Sequence, residues 1–294
     1  GSAAVPELKK LLEDSSQYIR ARAVWVLAAI GGSGVQEVEK LLGSDDPQFK
    51  ILAYRALRHF HSASLLKYAA KMSKDSSSAV RREVALSMRN IPIEKSYSVM
   101  MEIANRYDGK DEWYSAAIRI GVAGQEQAFF ELLKSSVKTS AVDWTTGLAE
   151  IAFRLHPVSA IKDFTARAMS KNLSAEARKK AVVALGFIET EEAVNAMVTI
   201  AKYGPEDAQK EAKWWVNHRN KNLWRKFDPI KKLTGKSDKT ELVDMIVPEQ
   251  LGAETKLPSV QEIVALKGDA AKGKATVAKC VMCHTIRGTG IDFG

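Results

Sequence analysis

Ile19-Arg20-x-x-Ala23-x-x-x-Leu27-x-x-Ile30-Gly31 is the stretch on which the fold turns. Its apolar residues, spaced i, i+4, i+8 and i+11, line one stripe of a helix. The string returns as Phe49-Lys50-x-x-Ala53-x-x-x-Leu57-x-x-Phe60, then as Val80-Arg81-x-x-Val84-x-x-x-Met88-x-x-Ile91, and later as Ala177-Arg178-x-x-Ala181-x-x-x-Leu185-x-x-Ile188. Weaker copies place the central residue at Ala117, Thr146 and Ala212, so that positions 23, 53, 84, 117, 146, 181 and 212 form one series. Its steps of 30, 31, 33, 29, 35 and 31 residues are the mark of a repeat architecture.

Each copy is followed by a second amphipathic segment, such as Val35-x-x-Val38-x-x-Leu41-Leu42 or Ala193-x-x-Ala196-Met197-x-x-Ile200. Asp46 before Pro47 reads as an N-cap followed by proline in the first turn. Gly31-Gly32-Ser33-Gly34 and Gly121 to Gly124 read as helix ends. The unit is therefore helix-turn-helix. Val5 to Glu13 reads as the second helix of a repeat whose first helix is absent.

On these strings the chain resembles the HEAT-like repeat family, in its short PBS-lyase-type variant, over residues 4–220. The copies at Ile19 and Ala177 carry the hallmark most fully, whereas those at Trp113 and Val142 lack the arginine. The resemblance implies an all-α fold: an α-solenoid of about seven helical hairpins, each stacked on its neighbours. Residues 221–256 read as a basic segment and linker, with Pro248 and Gly252 as breakers. Residues 257–294 read as a separate segment.

Composition agrees with a helical chain, at 294 residues with 46% hydrophobic but only 7% aromatic content. No run of 18 uncharged apolar residues is present, so a transmembrane helix is not expected. The net charge of +9 is concentrated. Ten Lys/Arg against three acids between Gln209 and Lys239 put +7 in that stretch. Gly1-Ser2 reads as a cloning remnant with no signal segment behind it, and the chain is expected to be part of a longer protein.

Chemistry is spelled out in one place, Cys280-Val281-Met282-Cys283-His284. C-x-x-C-H is the attachment signature of a c-type haem: two thiols reach the vinyl groups and the imidazole reaches the iron. Two thiols and a histidine also suit zinc, and C-x-x-C also suits redox exchange. Both cysteines of the chain lie in this run, so no disulfide framework is available to it.

The flanking residues carry a second resemblance. Gly268-Asp269-Ala270-Ala271-Lys272-Gly273-Lys274 leads through Val277 into the motif and is similar to the N-terminal helix of class I cytochromes c. With Leu257 to Ile263 before it and Gly288 to Gly294 after it, the segment resembles the start of a planctomycete-type haem-binding cytochrome domain. That resemblance implies Cys280 and Cys283 as haem thioether anchors and His284 as axial iron ligand. It also implies a periplasmic or exported protein, because such haem is attached after export. Val277 stands where the family usually has an aromatic residue, and Met282 lies inside the attachment loop, where it cannot reach the opposite face of the haem. The second axial ligand is expected beyond Gly294, haem c is expected in the full-length protein, and an apo state is left open for this length of chain.

The remaining constellations read more plainly. His59, His61, His156 and His218 are dispersed, and the i, i+2 spacing of the first two diverges on a helix. No Ser/His/Asp arrangement, phosphate-cradling loop or H-E-x-x-H helix occurs, so the chain is expected to be an electron carrier and scaffold rather than an enzyme. Its expected partner is a redox enzyme or neighbouring domain, and the resemblance implies a dehydrogenase. Trp214, Trp215, Trp224 and Phe227 interleave with the basic stretch; they are expected to cover the end of the solenoid, and a nucleic-acid partner is not expected. Two other readings stay open: a pure protein-interaction scaffold, and a basic nucleic-acid-binding module.

Overall fold

The structure is a computed structural model, and it describes residues 1–237 and 258–277. The chain divides into two units, Gly1–Asp238 and Lys239–Gly294. The first opens with Val5–Lys10 (α1) and then alternates two sets of helices. Gln17–Ile30 pairs with Ser33–Leu41 (α2, α3), Pro47–Phe60 with Leu65–Met72 (α4, α5) and Ser78–Ser87 with Ile93–Asn105 (α6, α7). Glu112–Gly121 pairs with Glu126–Ser135 (α8, α9) and Thr146–Leu155 with Ile161–Met169 (α10, α11). Ala175–Gly186 pairs with Glu191–Tyr203 (α12, α13), and Glu206–Asn220 with Pro229–Thr234 (α14, α15). The first helices of successive pairs pack side by side, as α2 does on α4, α6 on α8 and α12 on α14. This is an α-solenoid, all-helical among the described residues.

The repeat string now has a physical account. Leu27, Leu57, Met88 and Leu185, the copies of one stripe position, are all fully buried, and the small residues Ala23, Ala53 and Ala181 let neighbouring helices close on them. The arginine fastens the helix to the loop in front of it. Arg81 Nη1 donates to the carbonyls of Asp75 (2.7 Å) and Ser76 (2.8 Å), while its Nε donates to the Tyr114 hydroxyl of the next hairpin at 2.8 Å. Arg178 repeats the arrangement on the Ser170 and Leu173 carbonyls and on Asp207 of α14, in the next hairpin. Lys50, in the same place, pairs with Asp75 instead. One side chain thus satisfies orphan loop carbonyls and ties two repeats together.

Where the arginine is missing, the sequence register slips. Thr145 caps α10 by accepting from the Leu148 amide, so Thr146 is the first residue of that helix and not its centre. Ala152, fully buried, takes the small-residue place. The anchoring passes to the second helix of that hairpin: Arg167 of α11 donates to the Ala141 carbonyl at 2.6 Å and lies over the ring of Trp144.

Beyond Asn220 the repeat period stops but the packing does not. Trp224 is fully buried and its indole N–H donates to the Ile188 carbonyl at 2.9 Å. Asp228 caps α15, which packs on α13 and α14. Residues 221–237 therefore close the last hairpin. Among the described residues no helix is long and apolar enough to cross a membrane.

Candidate functional site

Three regions hold the side chains that could carry function. In the second unit, Val260–Ala265 (α16) starts on a capping box in which Ser259 and Glu262 satisfy each other's amides. Its apolar residues Val260 and Val264 are exposed. Ala270–Val277 (α17) starts at Asp269, whose carboxylate accepts from the amides of Ala271 and Lys272 at 3.0 Å each. α17 lies within the stretch from Gly268 to Val277 that the resemblance reads as a helix. Cys280, Cys283 and His284 lie outside the described residues, the nearest of which is Val277.

The second region is the basic and aromatic end of the solenoid. Trp215 is buried, its indole donating to Glu211 at 3.1 Å. Arg219 donates to the Gly186 carbonyl at 2.8 Å and sits between the rings of Phe187 and Trp215, about 5 Å from each. Burial pushes its pKa down. Gly186 is required here, since a methyl group at that position would meet the Trp215 ring at 2.6 Å from Cδ2. Trp214 is different: it is 54% exposed and stacks on His218 at 4.7 Å. Several cations of this stretch are paired, Lys226 with Glu189 and Lys232 with Glu191 among them.

Each histidine of the array already has a local use. His61 Nε2 meets the Ala28 carbonyl at 2.8 Å, and His59 packs edge-on to Trp25 and Phe60. His156 ends α10 in the left-handed region, at φ 48°, and stacks on Phe187 at 4.8 Å. Its Nε2 is buried without a hydrogen-bond partner, and desolvation, aided by Arg119 and Arg154, pushes its pKa down to about 4. Among the described residues no three His, Cys, Asp or Glu side chains come together as a metal site.

The third region is one that the sequence gives no hint of. A cavity of about 300 Å³ opens between α10 and α12. Trp144, Phe153 and Phe164 form apolar walls, and Arg167 and the Glu150–Lys180 ion pair supply charge. The arginine belongs to the second helix of its hairpin, outside the repeated pattern, and a gap between repeats leaves no residue signature of its own.

No protein-family model matches the chain, and no curated protein does either. Among solved structures, human deoxyhypusine hydroxylase in complex with glycerol is similar over 75% of this chain and 97% of its own, at 12% identity and a TM-score of 0.30. The expectation of a carrier and scaffold that is not an enzyme is withdrawn, because missing catalytic motifs do not exclude activity. The physical reason is general: a helical frame can hold catalytic groups as well as docking surfaces, so the frame does not decide between them. At this TM-score and identity the likeness gives no residue of the chain a role and carries no reaction over to it.

Proposed function

We propose that the chain presents a covalently bound c-type haem at its C-terminal motif and uses the helical array as the surface on which a protein partner docks. Cys280 and Cys283 would hold the haem through thioethers, and His284 would ligate its iron. The donor set fits that group, since two thiols, which add across two vinyl groups, and one neutral imidazole are what thioether closure and iron ligation require. Bound haem supplies one-electron redox chemistry. The observation that carries the reading is α17, a helix capped by Asp269 that ends at Val277, three positions before Cys280 in the sequence.

The chain's own residues would do the rest. Asp269 fixes where α17 begins. The solenoid offers side chains on a frame tied together by Arg81, Arg178 and Lys50. The exposed cations of its final hairpin suit an acidic partner surface. Covalent attachment of this kind places the protein outside the cytoplasm.

The test is expression with a functioning c-type haem maturation system, followed by extraction in acid acetone. Haem that stays with the protein supports the reading, and a colourless protein sinks it. Exposed Trp214, next to Lys213 in the sequence and within the basic stretch, favours a second reading, a nucleic-acid surface. Salt-sensitive DNA binding that is lost on changing Lys221, Arg225 and Lys226 to alanine would establish it.

A further inference from the structure

The cavity between α10 and α12 holds a buried cation that has no ion-pair partner. Arg167 is 7% exposed, yet among the described residues no carboxylate lies within 4 Å of it. Its one hydrogen-bond acceptor is the Ala141 carbonyl, and one face rests on Trp144. A guanidinium has five N–H donors, so most of this fork is unused. Its Nε and Nη2 have no protein acceptor, and neither is sealed from solvent. Burying a cation without a counter-charge is costly unless something completes it.

The two acids nearby are already engaged. Glu150, 9% exposed, pairs with Lys180, and Lys180 also reaches the exposed Glu176 at 3.8 Å. The lining thus carries two cations and two anions, and Arg167 is the one of the four without an ion-pair partner. We propose that this cavity is a binding site for a small apolar monocarboxylate, its carboxylate held by the free edge of the Arg167 fork and its body seated between Trp144, Phe153 and Phe164. The fork matches a carboxylate bidentately. A dianion such as phosphate is disfavoured, because Glu150 would face its second charge. At about 300 Å³ the space is at the small end of ligand sites, which suits a single ring or a short branched chain. Burial with no offsetting carboxylate also pushes the Arg167 pKa down, the cost that a bound anion would relieve.

Benzoate is the probe, with benzamide as its neutral isostere, each titrated into the full chain by calorimetry at low salt. Saturable one-to-one binding of benzoate is expected, with a Kd of roughly 1 mM or tighter for a ligand of this size. Benzamide should bind at least ~10-fold more weakly, because it lacks the charge that the buried guanidinium selects. Arg167→Met should abolish the preference. Since that change also frees the Ala141 carbonyl, Ala149→Phe provides an independent check, filling the cavity while leaving Arg167 in place. It should remove benzoate binding and keep the thermal transition. No saturable benzoate binding, equal affinity for benzamide, or binding that survives in Ala149→Phe would overturn the proposal.

Discussion

Replacing Arg81 by Met tests the link between the repeat string and the fold. The change keeps most of the aliphatic stem and removes a guanidinium that makes three hydrogen bonds, to the Asp75 and Ser76 carbonyls and the Tyr114 hydroxyl. Hydrogen bonds from a charged donor contribute about 1.5–3 kcal/mol each. Two of the three acceptors sit in a partly buried loop and regain water in the variant, and releasing the side chain returns up to about 2 kcal/mol of rotamer entropy. The net cost should be about 3 kcal/mol. Arg20 is the internal control: it makes one hydrogen bond, 3.1 Å to the Asp14 carbonyl, and its Nε is buried without a partner. Arg20→Met should therefore cost about 1 kcal/mol or less. Urea unfolding followed by circular dichroism reads both, provided the array unfolds in one transition. If Arg81→Met falls within about 0.5 kcal/mol of the parent protein, the anchoring role assigned to this arginine is refuted.

Other outcomes follow from the packing. Trp224→Ala should cost about 3–5 kcal/mol by emptying a fully buried site and orphaning the Ile188 carbonyl; unchanged urea stability would show that residues 221–237 are not part of the array. Gly186→Ala should cost about 1–3 kcal/mol, because its new methyl meets the Trp215 ring; a lowered melting temperature and altered tryptophan fluorescence check it. His156 has a folded pKa of about 4 against an ordinary 6.5, so the unfolded chain binds more protons between those values. Its contribution is complete above pH 6.5 and is lost as the pH falls toward 4, by roughly 1–2 kcal/mol between pH 7 and 5. His156→Asn, which tolerates the left-handed backbone, should flatten that part of the stability–pH curve.

Much of the array is legible in the sequence because a single side chain does several jobs at one repeated place. Arg20, Arg81 and Arg178 mark the same turn of three helices, and the buried leucines follow at fixed spacing. Legibility fails where another residue takes over. With Ser115 and Ala149 at the arginine position, Arg167 from the second helix does the anchoring, and the apparent centre of that repeat moves to Thr146. The last hairpin is hidden for a related reason. Its second helix, α15, is only six residues long, and the signals for it were Trp224 and Ile230 within a run that reads as solvated lysines. The cavity beside Arg167 depends on what two neighbouring repeats fail to fill, which no local pattern records. The haem motif is the opposite case, legible residue by residue in Cys280, Cys283 and His284, which lie outside the described residues.

The most direct measurement for the central proposal is the intact mass of the protein made alongside a haem-maturation system, compared with a variant carrying Cys280→Ser and Cys283→Ser. One haem added covalently to the parent protein and none to the variant is the predicted result. An unmodified mass for both, in cells that mature another c-type cytochrome normally, would contradict it.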